Sequence, residues 1–118
     1  MTAIGAAHFN GYCHCDDCRR SNGAPVVSFT SFKADQITWQ SRESLCEWRN
    51  GRFARHFCKI CGSPVAYTDD DIADEFFFYV GFMSDATEFP PEHHSFYGEK
   101  IRWLALCDEL PKSEYTSF

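Results

Sequence analysis

Five of the chain's seven cysteines fall into two tight groups. The first is Cys13-His14-Cys15-Asp16-Asp17-Cys18, and the second is Cys58-Lys59-Ile60-Cys61-Gly62. Thiolate sulfur binds zinc at about 2.3 Å, and tetrahedral coordination needs ligands on short loops that converge. A Cys-x-x-Cys turn meets that need by folding its backbone around the metal, and Gly62 tolerates the positive φ such turns often require. Cys-x-Cys-x-x-Cys offers the sulfurs of Cys13, Cys15 and Cys18 to one ion and leaves a fourth position open. Three protein ligands plus an exchangeable position is the pattern of catalytic zinc, whereas four protein ligands mark structural zinc.

Arg19 and Arg20 directly follow the first group, and Arg55 and Lys59 flank the second. Nearby cations lower a thiol's pKa and hold the thiolate that a metal needs. The competing reading is a redox dithiol. A thioredoxin-like motif would lie between strand and helix of a βαβ unit, and no such pattern is found. Cys46 and Cys107 stand in apolar, strand-like stretches and are expected to be buried, inert thiols. Strand alternation points His14 away from Cys13 and Cys15, so it is not expected to be a ligand. His8 and His56 read as surface or supporting residues. Of His93 and His94, which follow Pro90-Pro91-Glu92, one could face the metal site.

The elements that must position these groups are short strands. Residues 8–22 read as a loop or short helix carrying the first cysteine group. Val26 to Phe32 is rich in β-branched and aromatic residues and reads as a strand, followed by a shorter one over Gln36 to Trp39. Leu45 to Trp48 and Arg52 to Phe57 flank Asn50-Gly51, a strong hairpin signal. Pro64 to Tyr67 begins another strand. Phe76-Phe77-Phe78-Tyr79-Val80 is continuously apolar, as a strand buried on both faces would be. Ser95 to Tyr97 and Arg102 to Leu106 are the last strand candidates. No long segment has helical periodicity.

The chain of 118 residues is read as a single domain over residues 1–118. Its 17% aromatic content, with twelve Phe, favours a mainly β fold with a ring-built core. The run Asp69-Asp70-Asp71 is expected in a solvated turn, because it lacks the glycine and distal glutamate of a calcium loop. A net charge of −6 argues against tight binding to phosphate backbones. Arg49, Arg52 and Arg55 form the one local basic patch. No apolar stretch approaches the ~20 residues of a membrane span. Met1-Thr2-Ala3-Ile4-Gly5 has no basic leader or signal-peptide core. A cytoplasmic location, with reduced thiols and no membrane partner, is therefore expected.

Tyr12-Cys13-His14-Cys15-Asp16-Asp17-Cys18-Arg19-Arg20, followed by Gly23-Ala24-Pro25, resembles the central motif of the glutathione-dependent formaldehyde-activating enzyme (Gfa) family, which includes centromere protein V. Phe57-Cys58-Lys59-Ile60-Cys61-Gly62-Ser63, Val80-Gly81-Phe82-Met83-Ser84-Asp85, His94-Ser95-Phe96, and Trp103 with Asp108-Glu109-Leu110-Pro111 match the same pattern in the same order, over about residues 12–111. The resemblance implies a β-tent fold, two folded-over antiparallel sheets with zinc at their junction. It implies that Cys13, Cys15 and Cys18 form the open, catalytic-type site, and that Cys58 and Cys61 are half of a second, structural site. Family members usually begin with a Gly-x-Cys-x-Cys-Gly strand that supplies the other half. Here Met1 to Gly11 contain no cysteine, so that first strand and the completing ligands are expected to be missing. A sheet edge left open in this way could be covered by a second copy of the chain, giving a homodimer.

By the same resemblance, the substrate class is glutathione or a related thiol joined to a small aldehyde, and the reaction is that of a carbon–sulfur lyase. Arg19 or Arg20 could pair with a substrate carboxylate, and His94 is a further candidate substrate contact. Two other readings stand beside this one. One is a non-catalytic zinc-binding module for proteins or, less in keeping with the charge, nucleic acid. The other is a thiol redox sensor switching at Cys58 and Cys61.

Overall fold

The computed structural model describes residues 1–116, and its regular structure is mainly strands. In chain order these are β1 (Thr2–Ala3), β2 (Phe9–Cys13), β3 (Val27–Lys33), β4 (Ile37–Thr38), β5 (Leu45–Asn50), β6 (Phe53–Cys58), β7 (Pro64–Asp69), β8 (Glu75–Tyr79) and β9 (His94–Ser95). One α-helix, α1 (Asp16–Asn22), occurs among the described residues, together with several short 3₁₀ turns. Seven strands form one sheet in the order β5-β6-β7-β8-β3-β2-β9, and β1 pairs with β4 in a separate two-stranded sheet. The mainly β expectation therefore holds. Pairing in the large sheet is antiparallel except at its β2–β9 edge, where Tyr12 lies opposite His94 and Cys13 opposite Ser95 in parallel.

The phenylalanine run explains the centre of the sheet. β8 lies between β7 and β3, and every one of its residues is buried. Strand residues alternate between faces. Phe77 and Tyr79 thus join Cys13, Cys18, Val27 and Phe29 in one core cluster, while Phe76 and Phe78 join Phe32, Val65 and Ala66 in another. Each ring so buried contributes about 1.5–3 kcal/mol relative to exposure. The first cluster carries the thiols, so the strand that organises the core also forms the floor beneath them. Asn50-Gly51 makes the expected hairpin between β5 and β6, with Gly51 at a φ of 63°.

Several expectations are corrected. The first half of residues 8–22 is not loop or helix but β2, held between β3 and β9. The pairing partners of this segment are distant in sequence, which its local composition does not reveal. Arg102 to Leu106 is not a strand. It is irregular, with Leu104 N–H turning back to the Ile101 carbonyl, and Trp103 is 74% exposed. Of the preceding candidate, Ser95 to Tyr97, only Ser95 is in a strand, His94–Ser95, because Phe96 adopts the left-handed region (φ 52°) and breaks it. Cys107 is exposed and Cys46, on the edge strand β5, is half-buried, so neither is the buried thiol expected. The acidic turn is only partly solvated. Asp69 is buried and accepts from Asp71 N–H at 3.0 Å, while Arg49 and Arg52 pair with Asp70 and Asp71 at 2.8 and 2.7 Å. Those pairs neutralise two of the three arginines of the basic patch. Among the described residues no helix is long and apolar enough to cross a membrane.

Candidate metal centre and its cavity

The first cysteine group converges because a strand hands over to a helix inside it. Cys13 ends β2, and Cys15 caps α1, its sulfur accepting the Cys18 N–H at 3.3 Å. One helical turn then returns Cys18 to the same side. The three Sγ atoms all lie within 4.8 Å of one another. Tetrahedral thiolates on zinc stand about 3.8 Å apart, given the 2.3 Å bond. The trio therefore fits a metal ion with small adjustments. Cys13 and Cys18 are buried, and Cys15 is half-buried. All three border a cavity of about 630 Å³.

Crowding sets their proton affinities. Hydrogen bonds from Cys13 and Cys18 push the Cys15 thiol well down. Hydrogen bonding to Cys15 and Cys18, reinforced by burial, pushes Cys13 well up. Cys13 pulls Cys18 down, but Cys15 and burial outweigh it and leave Cys18 at about 11. Without a metal the trio thus favours a single thiolate, and a bound ion must displace the remaining protons.

A cation at the cavity wall stands beside the thiols. Arg55 on β6 places Nη1 3.5 Å from Cys18 Sγ and 2.9 Å from Tyr79 Oη, with its guanidinium 4.9 Å from the Tyr67 ring centre. Burial opposes its charge, but Cys18 and Tyr79 prevail and raise its pKa above the ordinary arginine value. Arg55 flanks the second cysteine group in sequence, three residues before Cys58. The register Arg55–Tyr67–Phe77 across β6, β7 and β8 carries it to the first group instead. Strand alternation from Phe53 through Arg55 was the signal for this placement.

The other candidates are dispersed. Arg20 borders the cavity and pairs with Asp16 at 2.8 Å. Arg19 is held behind the wall by Asp16 at 3.1 Å and by the His14 carbonyl at 3.3 Å. His94 is 1% exposed and does not border the cavity. Its Nδ1 lies 2.8 Å from His14 Nε2, and its Nε2 lies 3.0 Å from both Asp108 oxygens. With Asp108 ionised, His94 donates Nε2–H to it and accepts the His14 Nε2–H at Nδ1. Burial, then His94 and Lys100, push His14 down to about 4, so it stays neutral. His14 thus points away from the sulfurs, as alternation predicts.

Cys58 and Cys61 form the tight turn expected, with Gly62 N–H donating to the Cys58 carbonyl at 2.7 Å and Gly62 at a φ of 76°. Among the described residues no third donor joins them. Cys61 is exposed, with its sulfur 3.1 Å from Ser63 Oγ.

Fold and site together define a mainly β protein with a three-thiol cluster that could hold a metal ion, opening on an aromatic cavity. The chain belongs to the glutathione-dependent formaldehyde-activating enzyme family, whose model matches residues 1–99. A crystal structure of a Rhodobacter sphaeroides protein shares the fold at a TM-score of 0.54 and 18% identity, over 71% of this chain and 76% of that one. No curated protein matches the sequence.

Proposed function

We propose that the chain is a zinc-dependent carbon–sulfur lyase acting on the adduct of a thiol, such as glutathione, with an aldehyde. One observation carries this reading: Cys13, Cys15 and Cys18 bring their sulfurs together at the wall of a cavity large enough for such an adduct. A zinc ion held by these sulfurs would supply a Lewis acid with one exchangeable position. In the cleavage direction the adduct's C–S bond breaks, its electron pair goes to sulfur, the C=O bond forms, and the hydroxyl proton leaves to water. The reverse forms the adduct.

The chain's own groups divide the remaining work. Arg55, at the cavity wall beside Cys18, holds negative charge on the thiolates. Arg20 borders the cavity, where its pairing with Asp16 fixes the start of α1 at the rim. Arg19 positions the strand-to-helix turn through the His14 carbonyl, and His94 fixes the His14 ring beneath it. A reducing, cytoplasmic setting keeps the thiols available.

The test is zinc content per chain combined with titration of glutathione and of its formaldehyde adduct. Saturable binding that needs zinc, with release of free thiol from the adduct, supports the lyase. Bound zinc with neither ligand bound favours an interaction module. Absence of zinc, with reversible oxidation of Cys58 and Cys61, favours a redox sensor.

A further inference from the structure

The cavity is far larger than a one-carbon aldehyde requires, and its lining is specific. Phe9, Tyr12, Phe29, Phe53, Tyr67 and Phe77 form its walls, and Trp48, 59% exposed, borders it as well. Such rings receive apolar and aromatic groups by burial and by offset or edge-on stacking.

The charges around it point the same way. Asp16, Asp17 and Glu99 border the cavity, against Arg20 and Arg55. Both cations are already engaged. Arg20 is bound to Asp16 at 2.8 Å, and Arg55 to Tyr79 and Cys18. Glu99 is fixed in place, accepting the Asp16 N–H at 2.9 Å. Glutathione carries two carboxylates and one ammonium at neutral pH. Its carboxylates would meet like charge here, with both cavity arginines already paired, and like charges at short range repel.

We infer that the cavity selects the adduct of an aromatic aldehyde with a small, non-anionic thiol, the aryl group lying among the ring walls while the sulfur reaches Cys13, Cys15 and Cys18. This inference rests on the zinc–thiol reading above and narrows its substrate.

The experiment is calorimetric titration of the zinc-loaded chain with benzyl mercaptan, which carries an aryl group one carbon from sulfur, and separately with glutathione. Benzyl mercaptan is expected to bind at least about ten-fold more tightly, the effect of burying one ring. Trp48→Ala is expected to weaken benzyl mercaptan several-fold and leave glutathione unchanged. Asp17→Asn, which removes one of the carboxylates at the cavity rim, is expected to strengthen glutathione binding and to leave the uncharged benzyl mercaptan within about two-fold. Glutathione binding as tightly as benzyl mercaptan overturns the aromatic inference alone and leaves the zinc–thiol reading standing. Binding of neither thiol overturns both.

Discussion

Arg55 lies 3.5 Å from the sulfur of Cys18, although 37 residues separate the two in sequence. The contact joins the hairpin half of the sheet to the cysteine half, and it sets a half-buried positive charge against the thiol cluster. Groups that orient and polarise metal ligands typically change metal affinity ten- to a hundred-fold when removed. Arg55→Gln is therefore expected to weaken zinc binding by about ten-fold, with partial recovery in Arg55→Lys. Competition with a chelator of known affinity measures both. Unchanged affinity in Arg55→Gln would make the contact incidental.

The second cysteine group behaves differently. The Ser63 hydroxyl, aided by its backbone N–H and by Cys58, holds the exposed Cys61 thiol below the ordinary range. A low-pKa, exposed thiol reacts fastest with alkylating agents. Cys61 is expected to be labelled first at neutral pH, and Ser63→Ala to slow that labelling. Added zinc is expected to protect Cys13, Cys15 and Cys18 while leaving Cys61 reactive. Mass spectrometry of timed iodoacetamide digests reads this directly, and equal protection of Cys61 would reveal a second metal site.

The buried pair His14–His94 and the carboxylate of Asp108 fasten residues 108–113 to the sheet edge. His94 N–H donates to the Pro111 carbonyl, and Ser113 N–H to the His94 carbonyl, both at 2.8 Å. His94→Ala is expected to cost about 2–4 kcal/mol in urea unfolding, the scale of a large core truncation. Asp108→Asn is expected to cost less, with faster hydrogen exchange at the Ser113 and Tyr97 amides. Full stability in His94→Ala would show that the tie is decorative.

A pH effect follows from His56, which is buried with its Nε2 2.8 Å from Thr68 Oγ1. Burial lowers its pKa below the ordinary value of about 6.5. Below that value the unfolded chain takes up a proton that the folded chain refuses, so stability falls with pH until the folded pKa is reached. Above it, His56 contributes no pH dependence. His56→Gln is expected to lose less stability than the parent between about pH 7 and pH 5. Parallel stability curves would place the acid sensitivity elsewhere.

Local chemistry made part of this legible. The Cys-x-Cys-x-x-Cys spacing, the Asn50-Gly51 turn and the all-apolar Phe76–Tyr79 run each reflect constraints acting over a few residues. The assignments that failed depend on partners distant in sequence. β2 is a strand because β3 and β9 flank it, whereas residues 102–106 share the composition of a strand but pair with none among the described residues. Arg55 stands near Cys58 in sequence but beside Cys18 in space for the same reason, since sheet register, not chain proximity, decides its neighbours. His94 stood out as a residue type, but only the packing of β9 shows that it faces His14 and Asp108 and not the cavity.

Metal stoichiometry in cysteine variants tests the central claim most directly. With Cys58 and Cys61 both changed to serine, the purified, reduced chain is expected to retain one equivalent of zinc. Changing Cys15 to serine in that background is expected to abolish it. A full equivalent surviving the loss of Cys15 would contradict the account.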